Sequence, residues 1–447
     1  MKPKLFLYAF VAALGGLLFG FDTAVISGTT EMIVRRFSMT EAELGWAVSS
    51  ALVGCIVGAI AIGHPGDIYG RRRMLFVTAA LFLVSAVWTG AARSYTELVL
   101  ARILGGIGVG GASVMAPLYI SEISPPRIRG RLVSMMQLAI VTGIVTAFFS
   151  NYLLANLGPE SWRYMFWAGA IPAAAFFCLL FSVCQSPRWL VKVGRADEAL
   201  TVLRTVDPEE DTDQVLNDIR QSLAHEEHTA GMNLFRMPYL RLILIGVVVA
   251  AFNQLTGINL VMYYAPRIFT SAGFAEGSAL LQTVAVGGSL LLFTMVGMAL
   301  IDTVGRKRLL MIGALGMPAC LGLVAWGLIQ RIQGGFLLFS MIGFVMFFCT
   351  AQGVVIWVIL SEMFPNRIRA RAMAIGSFAV WVVNAIITFL FPVMARKLGT
   401  GQVFAFHALT TFLSFFFFWK YLVETKGRSL EEIEDLVLGA APEGTIR

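Results

Sequence analysis

Ser121-Glu122-Ile123-Ser124-Pro125-Pro126-Arg127-Ile128-Arg129-Gly130-Arg131 returns further along the chain as Ser361-Glu362-Met363-Phe364-Pro365-Asn366-Arg367-Ile368-Arg369-Ala370-Arg371. The offset is about 240 residues in a chain of 447. That is too long for a stacked solenoid unit and the right length for a duplicated six-span half. A second echo keeps the same order and nearly the same offset: Gly66-Asp67-Ile68-Tyr69-Gly70-Arg71-Arg72 matches Ile301-Asp302-Thr303-Val304-Gly305-Arg306-Lys307. The chain is therefore read as two related halves.

The blocks around these echoes are apolar. Hydrophobic residues make up 57% of the chain and charged residues 14%, against roughly 45–50% and about 25% in soluble domains. The excess sits in long runs, such as Leu5 to Phe21 and Phe336 to Leu360, and about 20 apolar residues cross a bilayer core as a helix. About twelve such spans are predicted, centred on 6–28, 44–63, 74–92, 96–119, 132–155, 163–183, 239–268, 279–300, 308–329, 335–360, 372–395 and 402–422. The runs are continuous and do not alternate apolar with polar, which excludes a β-barrel. The net charge of +7 could suggest nucleic acid, but the basic residues cluster in alternate short loops: 71–73, 127–131, 306–308 and 367–371. The positive-inside rule places those loops, and with them both termini, in the cytoplasm. Lys2 and Lys4 before an apolar run resemble a signal peptide, but no small-x-small site with a polar flank follows, so the run is read as the first span.

The predicted organisation is an N-terminal six-helix half over 1–192, a cytoplasmic linker of amphipathic helices over 193–237, a C-terminal six-helix half over 238–424, and a cytoplasmic tail over 425–447. Within the linker, Ala196, Leu200 and Leu203, then Val215, Ile219 and Leu223, keep helical apolar spacing. Ser429-Leu430-Glu431-Glu432-Ile433 suggests a short capped helix in the tail. The fold class is an all-α membrane protein of twelve transmembrane helices in two pseudo-symmetric halves. In such a plan the substrate site is expected at the midplane between them.

Further motifs run the length of the chain. Span one reads Gly15-Gly16-Leu17-Leu18-Phe19-Gly20-Phe21-Asp22-Thr23-Ala24-Val25-Ile26-Ser27-Gly28, and span four Arg102-Ile103-Leu104-Gly105-Gly106-Ile107-Gly108-Val109-Gly110. Span seven reads Asn253-Gln254-Leu255-Thr256-Gly257-Ile258-Asn259, then Tyr263-Tyr264-Ala265-Pro266. Ser186-Pro187-Arg188-Trp189 follows span six and Glu424-Thr425-Lys426-Gly427 follows span twelve. On these residues the chain resembles the sugar porter family of the major facilitator superfamily, in particular its bacterial proton-coupled hexose and pentose porters, relatives of the animal facilitative glucose transporters. Against the family pattern, Asn253 stands where the first of a Gln pair is usual, Ile68 where Arg is usual, Gln185 where Glu is usual and Leu290 where an Asn often faces the sugar. The last change weakens an assignment to glucose in particular.

Asp22 and Arg102 are charges at membrane depth, where each costs roughly 3 kcal/mol or more, so they are functional candidates by default. As a structural ion pair they would fix helix packing. As a coupling pair, Asp22 is the proton site: desolvation disfavours its ionised form, a nearby Arg favours it, and movement of Arg102 would switch between them. The resemblance supports the second reading, since proton symporters of the family carry this Asp. It also implies a gating network on the cytoplasmic side from Glu122, Arg129, Glu362, Arg369, Asp67 and Asp302. Arg127 and Arg367 belong to the same clusters. The repeated Glu residues are not explained by topology alone.

A sugar needs amides and hydroxyls around its rim and an aromatic face for its C–H surface. By family position the candidates are Gln137, Asn253, Gln254, Asn259 and Trp357, followed by Trp381, Asn384 and Phe19, with Tyr263 and Tyr264 as an outer gate. A lone intramembrane Asn or Gln can instead bridge helices for about 0.6 kcal/mol, and a lone Trp can pack or anchor at the interface. Three amides around Gly257, a point of helix irregularity, favour the binding role for Gln254 and Asn259.

Other signals are set aside. Gly106-x-Gly108-x-x-Gly111 matches a dinucleotide fingerprint but lies inside a span. Its glycines, with Gly54 and Gly58, suit close helix packing. No P-loop, nucleophile–base pair or metal constellation appears, so no enzyme and no cofactor is expected. The five cysteines sit in apolar runs as packing residues, and His64 and His407 are read as structural. The expected function is proton-coupled sugar import across the plasma membrane by alternating access, with a hexose such as glucose as substrate. The expected partners are the sugar, protons and the lipid bilayer, with no nucleic acid. Facilitative transport, a pentose, inositol or polyol substrate, and a non-transporting sugar sensor stay open. Sensors of the family tend to have long tails, and this tail is short.

Overall fold

An apolar run leaves water only if its own backbone satisfies every N–H and C=O, which a helix does within one segment. The computed structural model is helical along these runs. It describes residues 3–206, 212–229, 237, 239–332, 334–365, 368–426 and 432–433. Arg367 and most of the expected tail helix lie outside the described residues. Among the described residues, twelve helical spans are long and apolar enough to cross a membrane, one for each predicted run.

The chain divides into two units, Met1–Gly231 and Met232–Arg447. The first holds α1 (Pro3–Phe37), α2 (Glu41–Tyr69), α3 (Arg71–Ala91), α4 (Tyr95–Ile123), α5 (Pro126–Leu154), and a sixth span made of α6 (Ser161–Ala168) and α7 (Ala170–Leu179). Three short helices follow: α8 (Pro187–Lys192), α9 (Ala196–Val206) and α10 (Thr212–Thr229). Trp189 and Leu190 of α8, Ala199 of α9 and Leu216 of α10 share a small core. The amphipathic spacing is thus spent on packing these helices against one another.

The second unit holds α11 (Tyr239–Leu255) and α12 (Ile258–Ser271), which together form span seven, then α13 (Glu276–Val304) and α14 (Arg306–Ile329). Span ten is split into α15 (Gly335–Thr350) and α16 (Gln352–Met363), and α17 (Arg369–Leu398) and α18 (Thr400–Tyr421) complete it. The buried core of this unit includes Leu242, Val249, Leu310, Ile356, Leu360 and Phe364. Large apolar side chains also point outward: Ile60 is 66% exposed, Ile171 75% and Phe339 71%. A water-soluble surface would not tolerate so many contiguous apolar groups, whereas a bilayer core solvates them.

Polar residues mark where helices start and how hydroxyls survive inside them. Thr40 caps α2 by accepting from the Glu43 backbone N–H at 3.3 Å, while the Glu43 carboxylate accepts from the Thr40 N–H at 2.8 Å. Ser94 caps α4 through the Glu97 N–H at 3.2 Å. Buried hydroxyls donate back along their own helix, as Thr23 does to the Phe19 carbonyl at 2.8 Å and Thr78 to Leu75 at 2.7 Å.

Glycines bring α2 and α4 into backbone contact. A Cβ at Gly54 or Gly58 would lie 2.2 and 2.1 Å from the carbonyl oxygens of Ile103 and Ile107. A Cβ at Gly106 or Gly110 would lie 1.9 and 2.1 Å from those of Ala51 and Cys55. Gly106 of the fingerprint-like motif therefore serves helix approach, together with Gly54, Gly58 and Gly110. Gly106→Val should cost on the order of 3 kcal/mol or more of stability, because the obstructing atoms are backbone and cannot rotate away. Gly130→Ala, with no atom near its Cβ position, should be silent. The yield of monodisperse protein from detergent gel filtration checks both, and equal yields would contradict the close approach.

Candidate functional site

In the first unit, Asp22 lies mid-way along α1 and Arg102 about two turns into α4. Arg102 Nη1 donates to Asp22 Oδ2 at 3.1 Å and to the Asp22 carbonyl oxygen at 2.9 Å. The Arg102 side chain is 1% exposed and that of Asp22 14%. The guanidinium carbon also lies 5.8 Å from the Phe166 ring centre. Arg102 Nε is buried without a hydrogen-bond partner. A small cavity abuts the Asp22 side, lined by Leu18, Phe21, Val25, Phe82, Phe166 and Gly169 among others. Phe19 and Gln137 are half-buried on α1 and α5.

In the second unit, span seven breaks at Gly257, whose φ of +78° is the left-handed conformation that glycine adopts without steric cost. The break frees the Leu255 carbonyl, which is met from α18 by His407 Nδ1 at 2.8 Å and by the Thr410 hydroxyl at 3.0 Å. His407 is therefore a strap across the break, a role that its isolation in the sequence concealed. Around this break the amides form a relay. Asn259 Nδ2 donates to Gln254 Oε1 at 2.5 Å, Gln254 Nε2 donates to Asn253 Oδ1 at 2.8 Å, and Asn253 Nδ2 donates to the Gln352 carbonyl at 3.4 Å. Asn253 and Gln254 are buried and Asn259 is half-buried.

Tyr263 and Tyr264 are tied to α17. Tyr264 Oη donates to the Thr388 carbonyl at 3.1 Å and its ring sits 4.8 Å from that of Phe391. Tyr263 Oη accepts from Asn384 Nδ2 at 3.4 Å, and Asn384 Oδ1 accepts from the Thr388 hydroxyl at 3.1 Å. Trp357 stands on the more exposed face of α16 and Trp381 is half-buried on α17. Leu290 is buried on α13.

The charged clusters at the span ends are built the same way in each unit. Arg71 Nη2 meets Glu122 Oε1 at 3.0 Å, Arg71 Nη1 meets Asp67 Oδ1 at 2.8 Å, and the Ser186 hydroxyl donates to Glu122. In the second unit Arg306 Nη2 meets Glu362 Oε1 at 3.1 Å, Arg306 Nη1 meets Asp302 Oδ1 at 3.2 Å, and the Thr425 hydroxyl donates to Glu362. Arg129 and Arg369 each donate to a backbone carbonyl five residues back, on Ser124 at 3.3 Å and on Phe364 at 3.2 Å. Within each unit the expected Asp and Glu are joined, by Arg71 in the first and by Arg306 in the second. Sequence reasoning had assigned both arginines to topology. Their matching places in the second echo were the signal that could have singled them out.

Glu122 is 4% exposed in its side chain and Arg71 7%, whereas Asp302 is 78% exposed. Removing one member of a buried pair strands the other charge, at a cost of about 3–5 kcal/mol. An exposed pair contributes about 0–1 kcal/mol. Arg71→Ala should therefore lower the thermal unfolding midpoint clearly, and Asp302→Asn should leave it within a degree or so of the starting protein. A large drop for Asp302→Asn would contradict this ranking.

Residues 8–437 match the family model described as sugar (and other) transporter. The chain is 39% identical to the D-xylose-proton symporter of Escherichia coli K12, over 97% of this chain and 95% of that one. It is 37% identical to the arabinose-proton symporter of Bacillus subtilis, over 95% and 93%, and 37% identical to a glucose transport protein of Synechocystis, over 95% of each. The inward-open structure of the xylose transporter XylE from E. coli superposes with a TM-score of 0.87 at 38% identity, covering 97% of this chain and 99% of that one. XylE bound to 6-bromo-6-deoxy-D-glucose gives a TM-score of 0.80 at 38% identity, over 97% and 99%. With a duplicated twelve-helix architecture, a match along nearly its whole length and relatives well above 30% identity, the chain belongs to the sugar transporter family of the major facilitator superfamily and is a transporter, not an enzyme.

Proposed function

We propose that the protein is a proton-coupled aldose symporter of the plasma membrane, with Asp22 as its proton site and Arg102 as the group that senses the proton. The observation that carries this reading is the buried Asp22–Arg102 contact at 3.1 Å. It is a carboxylate at membrane depth with a single cation to answer it and a cavity at its side. Protonation removes the charge that holds Arg102 Nη1 on Oδ2 and leaves the weaker bond to the Asp22 carbonyl. The guanidinium, unpartnered at Nε, then has little to keep it in place. Loss of the proton restores the pair. A cycle of this kind couples one proton to one change in the contact between α1 and α4.

The sugar contacts in this reading are the amides of the relay in the second unit. Gln254 and Asn253 each bond a neighbour through both the nitrogen and the oxygen of their amide, which orients the second N–H and the second lone pair that each still has. A monosaccharide hydroxyl donates and accepts at once and suits such a pair. The named relatives transport xylose, arabinose and glucose, so both pentoses and hexoses belong in the test panel. Leu290 at a position where family members often carry an Asn favours a sugar bound through fewer polar contacts in span eight.

Asp22→Asn should abolish uphill accumulation of sugar in proteoliposomes while preserving exchange of labelled sugar between the two sides. Accumulation by this variant would remove Asp22 as the proton site. Gln254→Ala strips a buried polar contact and leaves its partners on Asn253 and Asn259 unmet. It should weaken sugar binding about tenfold or more, and an unchanged affinity would take Gln254 out of the site.

A further inference from the structure

Span ten is interrupted at Ala351, and the first residue past the interruption carries polarity that the protein does not answer. Gln352 opens α16 and is completely buried, yet neither its Nε2 nor its Oε1 has a hydrogen-bond partner. An amide group offers two donors and an acceptor oxygen with two lone pairs, and burying it unpaired is costly. Other buried amides of the unit are used: Asn253, Gln254 and Asn384 each make side-chain hydrogen bonds. The residues that follow Gln352 on the buried face of α16, Val355, Ile356 and Ile359, show what packing alone calls for at such a position. An aliphatic residue would pack there without the penalty.

The place of this amide is as telling as its lack of partners. The backbone carbonyl of Gln352 is the acceptor for Asn253 Nδ2 at 3.4 Å. The relay that runs from Asn259 through Gln254 to Asn253 therefore ends on the residue that carries the idle side chain. We propose that Gln352 is a further sugar-recognition residue, whose side-chain amide bonds a hydroxyl of the monosaccharide held by the relay. This rests on the reading of the relay as the sugar site. It assigns span ten a polar contact at the break, in addition to the aromatic Trp357 further along α16.

The test uses the full-length protein in detergent. Binding of D-xylose, D-glucose and a series of their mono-deoxy analogues is measured calorimetrically for the unaltered protein, Gln352→Met and Gln352→Leu. Methionine keeps most of the glutamine volume and removes the amide. Both variants should bind the parent sugar about tenfold more weakly, the loss expected for one good hydrogen bond. For one deoxy analogue, lacking the hydroxyl that Gln352 reaches, variants and unaltered protein should bind alike. The unfolding midpoint of the variants without sugar should be equal to that of the unaltered protein or higher, since an unpaired buried amide has been removed. Unchanged affinity for every sugar overturns the assignment, as does loss by the same factor across all analogues, which marks an indirect packing effect. Failure of both variants to fold overturns it too, because the amide is then structural. Failure of the unaltered protein to bind any sugar overturns the underlying function as well, which separates the two outcomes.

Discussion

A polar atom at the depth of the hydrocarbon has no water to turn to, so the protein must supply its partner or bear its cost. That constraint arranges almost everything polar in this molecule. Hydroxyls bend back onto their own helices, and the carbonyl freed by the break in span seven is met by His407 and Thr410. Among the described side chains too polar to satisfy locally, two groups stand out: the ion pair of Asp22 with Arg102, and the amide relay around Gly257. Both are places where a helix interior departs from aliphatic packing.

Duplication explains the rest of the polar architecture. Arg71 and Arg306 each grip an acidic residue one turn earlier on the preceding helix and a Glu from the end of another span, and a hydroxyl from the segment after the sixth or twelfth span completes each cluster. The two clusters are not equal. Gln185 accepts the Arg72 N–H at 3.2 Å in the first unit, where Glu424 accepts the Arg306 N–H at 2.8 Å in the second. A carboxylate at the start of α14 also favours the positive end of that helix, and a neutral amide at the start of α3 gives up that contribution. The intramembrane groups differ further, with the charged pair in the first unit and the amide relay in the second. The two halves thus share their charged clusters at the span ends and differ in the polar groups buried inside the spans.

The spans were legible because hydropathy over about 20 residues is a property of composition and survives any error in register. The halves were legible because two motifs recur in order. Asp22 and Arg102 stood out because a charge in an apolar run has few innocent explanations. Arg71 and Arg306 did not stand out, since in a short basic loop an Arg satisfies the topology rule whether or not it grips a Glu. Gln352 was passed over because one Gln in an apolar run carries no periodic partner, and only the burial of both amide atoms exposes its cost. The breaks at Gly169 and Ala351 likewise leave little trace in hydropathy, whereas Gly257 amid three amides pointed to its own. The small core of α8, α9 and α10 was half visible: helical spacing was plain, but spacing does not say which neighbours the apolar face meets.

The most direct test of the account is sugar uptake into proteoliposomes under an imposed inward proton gradient, with xylose, arabinose, galactose and glucose each offered in the presence and absence of a protonophore. Accumulation of at least one of them above its external concentration, collapsing when the protonophore is added, is the predicted result. Equilibration without accumulation would contradict coupling and make the Asp22–Arg102 pair a structural one.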